Sequence, residues 1–140
     1  MARLRFGISA GGADVALASR ICCHNHRWAE PSGFFEQRRI ALFGGGQLNP
    51  HGDNVFYDSV CGKPLFVAPR GRSFGEWRAE SQRHGWPSFR KAELIAENVV
   101  FHPSGRMSSV CGTHLGHDLP DGAPRYCIDL VCIAGFAGGT

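Results

Sequence analysis

Apolar and polar positions alternate along this chain in short runs punctuated by glycine, proline and aspartate, which predicts many short elements. Asn54-Val55-Phe56-Tyr57 and Leu65-Phe66-Val67 read as short strands joined through the turn Cys61-Gly62-Lys63-Pro64. One stretch breaks the strand rhythm. Ser73 with Glu76 three residues on forms a capping box, Gly85 supplies a C-terminal stop and Pro87 forbids continuation, so a short helix is predicted over about 73–84. Its period puts Phe74, Trp77 and Ser81 on one face and delivers Gly85-Trp86-Pro87-Ser88-Phe89 as a fixed loop. Asn98–Phe101, the turn Pro103-Ser104-Gly105 and Arg106–Val110 predict a hairpin. Asp118–Gly122 reads as a loop, and Tyr126–Ile133 as a final strand apolar enough to be central. The predicted class is mainly β, antiparallel, with one short helix.

Along the final strand the period of two sorts the side chains. Tyr126, Ile128, Leu130 and Cys132 share an apolar face that belongs in the core. Arg125, Cys127 and Asp129 share the other, a cation, a thiol and an acid in a row. The reactive form of cysteine is the thiolate, which a neighbouring arginine favours and a neighbouring carboxylate opposes. Cys127 is therefore a candidate nucleophile, with Arg125 as its activator and a buried inert thiol as the alternative. Cys132, five residues on, falls on the opposite face and cannot pair with Cys127 without breaking the strand. His114 and His117 are candidate proton donors near neutral pH; metal ligation and a purely structural role are the other readings.

Composition narrows the function classes. The 140 residues are 43% hydrophobic, enough for one globular domain. Residues 1–50 hold six arginines against three acids, whereas 51–140 hold nine basic and nine acidic groups. A neutral body does not read as nucleic-acid binding. No apolar run reaches the roughly 18 residues of a membrane-spanning helix, so no membrane partner is expected. The glycine-rich break Gly44-Gly45-Gly46 and the loop Asn49–Asp53 divide the chain into an extension, 1–47, and a domain, 48–140. The arginine-rich head reads first as a poorly ordered extension; it also weakly resembles an organelle transit peptide, which would mean a mitochondrial or plastid protein and otherwise a cytoplasmic one. The six cysteines read as mostly reduced thiols in a reducing compartment.

One pattern occurs twice. Ser59-Val60-Cys61-Gly62 and Ser109-Val110-Cys111-Gly112 look like paired metal knuckles, each with its other cysteine replaced, by Asp58 and Ser108. Two thiolates and a carboxylate are a poor set for tetrahedral zinc, so no metal is expected.

Four segments in order resemble the peptide-methionine (R)-S-oxide reductases: Cys61-Gly62-Lys63-Pro64-Leu65-Phe66, Gly85-Trp86-Pro87-Ser88-Phe89, Cys111-Gly112-Thr113-His114-Leu115-Gly116-His117 and Arg125-Tyr126-Cys127-Ile128. The resemblance covers roughly residues 54–135. It implies two antiparallel sheets forming a small open barrel. It implies that Cys127 attacks the sulfoxide sulfur and that Trp86 holds the substrate methyl group. His114 and His117 would bind and protonate the sulfoxide oxygen, and Arg125 would support the thiolate. The product sulfenic acid would be recycled by a thiol, with thioredoxin as the external reductant.

Three departures from the family pattern stand out. Asp129 occupies a place where the family commonly has asparagine. The family's zinc site lacks half its ligands, which matches a zinc-free branch. His84 stands where many members carry a resolving cysteine. The resemblance places Cys61 and Cys111 together and away from Cys127, leaving Cys22 and Cys23 of the head as candidate recycling thiols. The readings from other classes are a non-catalytic member that binds oxidised methionine or a protein partner, and a degenerate zinc-ribbon interaction domain.

Overall fold

A computed structural model describes residues 20–24, 29–30, 32–36, 42–43, 48–121 and 123–135. Residues 1–19, on which the targeting reading chiefly rests, and the break at 44–46 lie outside them. Among the described residues no helix is long and apolar enough to cross a membrane.

Strand β1 (Asn54–Asp58) pairs with β2 (Pro64–Ala68) on one side and β8 (Ile133–Gly135) on the other, giving a three-stranded antiparallel sheet. The second sheet has five strands in the order β3 (Ser88–Arg90), β7 (Ala123–Ile128), β6 (His114–Asp121), β5 (Arg106–Ser109), β4 (Val99–Phe101), all antiparallel. The fold is thus mainly β with two antiparallel sheets, which are not closed into a barrel. Helix α1 (Phe74–His84) has the expected signals at both ends: the Ser73/Glu76 capping box is formed, and Gly85 ends the helix at φ 87°.

Three local expectations are corrected. Asp118–Asp121 extend β6 instead of forming a loop, because β6 and β7 pair in register from Gly116↔Ile128 out to Asp121↔Ala123. Ser88 and Phe89 are strand, not loop, because β3 pairs along β7. The final strand does not run unbroken to Ile133. It stops at Ile128, turns through a 3-10 helix at Leu130–Cys132, and resumes as β8 in the other sheet. One predicted strand therefore serves both sheets and ties them together.

An aromatic cluster fills the core. Phe66 stacks on Phe89 at 4.3 Å between ring centroids, and Trp77 meets Phe56 and Phe43 edge-on at 5.7 and 4.9 Å. Ile21, Phe34, Phe35 and Leu42, upstream of residue 48, are buried in the same core.

The expectation of mostly reduced thiols is also corrected. Cys22 is bonded to Cys132 and Cys61 to Cys111, leaving Cys23 and Cys127 free. Folding brings the paired Cα atoms to 5.5 and 6.6 Å, within disulfide reach despite sequence separations of 110 and 50.

Candidate active site around Cys127

Cys127 sits near the end of β7, half-buried. In the register it faces Ser88 of β3 on one side and His117 of β6 on the other. Arg125, two residues earlier, is buried, hydrogen-bonds the Ser88 hydroxyl at 3.1 Å, and favours the charged form of the Cys127 thiol. Asp129 lies past the strand end but stays at the site, because its N–H donates to the carbonyl of Leu115 on β6 at 2.8 Å. The structure thus brings Arg125, Cys127, Asp129, His114 and His117 into one neighbourhood.

The spacing of the two histidines hides a device. On a regular strand residues three apart face opposite sides. Here the register steps from Met107↔Gly116 to Ser108↔His114, so Leu115 is an extra residue, a β-bulge. The bulge brings the rings of His114 and His117 to 6.1 Å, with His114 buried and His117 exposed. Between them Gly116 is required by close approach: a Cβ there would lie 2.0 Å from the carbonyl oxygen of Cys127.

His114 has a defined tautomer. The Arg106 Nε–H donates to its Nδ1 at 3.1 Å. An arginine N–H can only donate, so Nδ1 accepts and the ring proton is on Nε2. That Nε2 lies 3.0 Å from the Asp129 carboxylate. Arg106 was not singled out from the sequence, since nothing local distinguishes it from a surface arginine on a strand.

Charge at the thiol does not follow the simple sequence argument. Burial pushes the Cys127 thiol up to about 11; Arg125 pulls it down, but Asp129 and Glu30 push it up. Burial also raises the Asp129 carboxyl above the usual carboxylate range, against the pull of His114 and His117. Arg125 therefore acts on the thiol as expected but does not outweigh desolvation.

Trp86 follows the helix stop and is partly exposed, with its indole N–H donating to the backbone carbonyl of Glu30 at 3.0 Å. Gly85 is the hinge of this placement. Its φ of 87° favours glycine, and a Cβ there would lie 1.8 Å from the Ser32 hydroxyl.

The paired knuckles form a separate centre. Both turns use a glycine at positive φ, Gly62 and Gly112, and both cysteines are exposed. Ligand atoms of Asp58, Cys61 and Cys111 lie within 4.8 Å of one another. The donor set does not fit a tetrahedral zinc as arranged. The two sulfurs are bonded to each other, so neither is a thiolate. The buried Asp58 carboxylate already accepts from the N–H groups of Val60 and Cys61 and the hydroxyls of Ser109 and Thr113.

A half-buried thiol on a strand that also carries a buried arginine, with a histidine opposite it in the register, on a two-sheet antiparallel fold, is an arrangement suited to an oxidoreductase. No family model matches the chain. It is 33% identical over 102 residues to the peptide methionine sulfoxide reductase MsrB of Pseudomonas putida, covering 65% of this chain and 72% of that one. Against the MsrB of Thiobacillus denitrificans it is 32% identical over 110 residues, 71% of this chain and 77% of that one. The chain belongs to the MsrB family of peptide methionine sulfoxide reductases.

Proposed function

We propose that this protein reduces methionine-R-sulfoxide, free or in proteins, to methionine with Cys127 as nucleophile. The observation that carries this reading is the placement of that free thiol between Arg125 and the cross-strand His117. The Cys127 thiolate attacks the sulfoxide sulfur, the sulfur–oxygen bond breaks, and the oxygen passes to Cys127 as a sulfenic acid while methionine leaves. The oxygen must gain a proton to accept this transfer. Both ring nitrogens of His114 are occupied, one by Arg106 and one by Asp129. His117, exposed and opposite Cys127, is therefore the donor, and His114 holds Asp129 in place. Trp86 forms the apolar wall for the substrate methyl group. An external thiol then condenses with the sulfenic acid, releasing water, and a second thiol, such as that of a thioredoxin-type dithiol, frees Cys127. Zinc has no part in this scheme.

The test is turnover of a peptide carrying each epimer of methionine sulfoxide, with dithiothreitol as reductant and Cys127→Ser alongside. R-specific turnover that vanishes in the variant is expected. Well-folded protein that turns over neither epimer would instead make this a binding module for oxidised methionine.

A further inference from the structure

Glu30 lies upstream of the strands and helix that build the site, yet it is 1% exposed and bonded to two of the site's elements. Its backbone carbonyl accepts the Trp86 indole N–H at 3.0 Å. Its carboxylate Oε2 accepts the N–H of Leu130 at 2.6 Å. Leu130 directly follows Asp129, at the corner where β7 ends and the chain crosses to the other sheet. The segment carrying Glu30 is itself pinned. Gly33 N–H donates to the Gly85 carbonyl at 2.8 Å, and Phe34 and Phe35 are buried.

Desolvating a carboxylate is costly, and this one is buried where the chain turns out of the site, with its Oε2 on the N–H that follows Asp129. Its presence at a corner that carries the site's own acid points to a role in the site. We propose that Glu30 is a positioning residue of the active site, orienting Trp86 through its backbone carbonyl and fixing the Asp129–Leu130 corner through its carboxylate. This deepens the reductase reading and rests on it for its catalytic consequences. The same carboxylate acts on Cys127 through space and opposes thiolate formation, alongside Asp129. The other groups that face the thiol are Arg125 on its own strand and His117 across from it on β6, with His114 behind Asp129; Ser88 on β3 is neutral.

Two variants of the full chain separate the two effects. Glu30→Gln keeps an acceptor for Leu130 and removes the charge; Glu30→Ala removes both. The first readout is the pH dependence of iodoacetamide alkylation, followed at the Cys127-containing peptide by mass spectrometry. The second is kcat and KM for a methionine-R-sulfoxide peptide. Glu30→Gln is expected to alkylate about threefold or more faster than wild type at pH 8, since each unit of thiol pKa is about tenfold in thiolate. Glu30→Ala is expected to lower kcat about tenfold or more, with Glu30→Gln restoring most of it. An alkylation profile of Glu30→Gln that superimposes on wild type overturns the charge effect. Wild-type kcat in Glu30→Ala overturns the positioning role. Should Glu30→Ala fail to fold, Glu30→Ser, whose hydroxyl is too short to reach the Leu130 N–H, takes its place, and wild-type kcat there overturns the positioning role. Should wild type turn over no sulfoxide, the reductase reading falls while the alkylation comparison still judges Glu30.

Discussion

At the scale of single residues, the site is set by desolvation more than by charge. Cys127 has an arginine beside it and is still pushed up to about 11, because burial and two carboxylates outweigh one guanidinium. Alkylation of Cys127 should therefore climb with pH through the whole neutral range, about tenfold per unit. Asp129 adds a second dependence. Its neutral form can donate a hydrogen bond and does not repel the thiolate; its raised carboxyl loses that form as pH rises. Asp129→Asn is expected to raise kcat/KM at pH 7–8 about three- to tenfold, through a lower thiol pKa and a donor present at every pH. Steady-state kinetics from pH 5 to 9 read this directly, and an unchanged or lower value removes Asp129 as a brake. The two histidines should separate as well. His117→Asn should lower kcat by about 10²-fold or more, the usual size of a general-acid contribution. His114→Asn should chiefly alter the pH profile through Asp129.

At the scale of elements, the helix was the most legible. Ser73, Glu76 and Gly85 act locally, so their pattern can be read without knowing what the helix packs against. What anchors α1 is not local. Glu80 is buried and pairs with Arg72 at 2.7 Å and with Arg90 of β3, while Arg72 also bridges to the buried Glu93 at 2.8 Å. Burial works against the charge on Glu80, but these arginines hold its carboxyl below the usual range. Its stabilising contribution is thus present above ordinary carboxylate pKa values and lost as pH falls through the lowered one. Glu80→Ala removes the carboxylate that Arg72 and Arg90 share, while Arg72 keeps Glu93 and Arg90 keeps the carbonyl of Ala123, and should cost about 1–2 kcal/mol at pH 7, allowing for the arginines' partial exposure. Denaturant melts at pH 7 and pH 3 check this; the difference between variant and wild type should shrink in acid. The strands were harder to delimit. The apolar run 126–133 carries no mark of the break at Asp129, because both halves are buried and only their partners differ. The bulge at Leu115 was equally silent, being a property of the pairing with β5.

For the whole molecule, the largest surprise lies upstream of residue 48. Composition separated an arginine-rich head from a neutral body, yet Ile21, Phe34, Phe35 and Leu42 are buried in the common core and Cys22 is bonded to Cys132. Removing residues 1–47 should therefore destabilise the remainder and expose the aromatic cluster, with Phe43 no longer against Trp77. A milder form is Phe35→Ala, expected to cost about 3–5 kcal/mol as a large-to-small change at a fully buried site. Thermal unfolding under oxidising conditions measures it, and a loss below about 1 kcal/mol would show that this segment is only loosely attached.

What the chain by itself determined are features whose causes lie close together in it: the caps of α1, the turns at Gly62 and Gly112, the alternation that aims Arg125 and Cys127 together, and the motifs that resemble MsrB. The tertiary structure decided everything that depends on which distant segments meet. It chose the cysteine pairs, the bulge that turns both histidines to one site, the Arg106 bond that settles the His114 tautomer, and the approach of Glu30 to Trp86 and Leu130. It also decided the sign of the shift at Cys127. A neighbouring arginine is visible in the sequence, whereas the depth of burial that outweighs it is a property of the packed molecule.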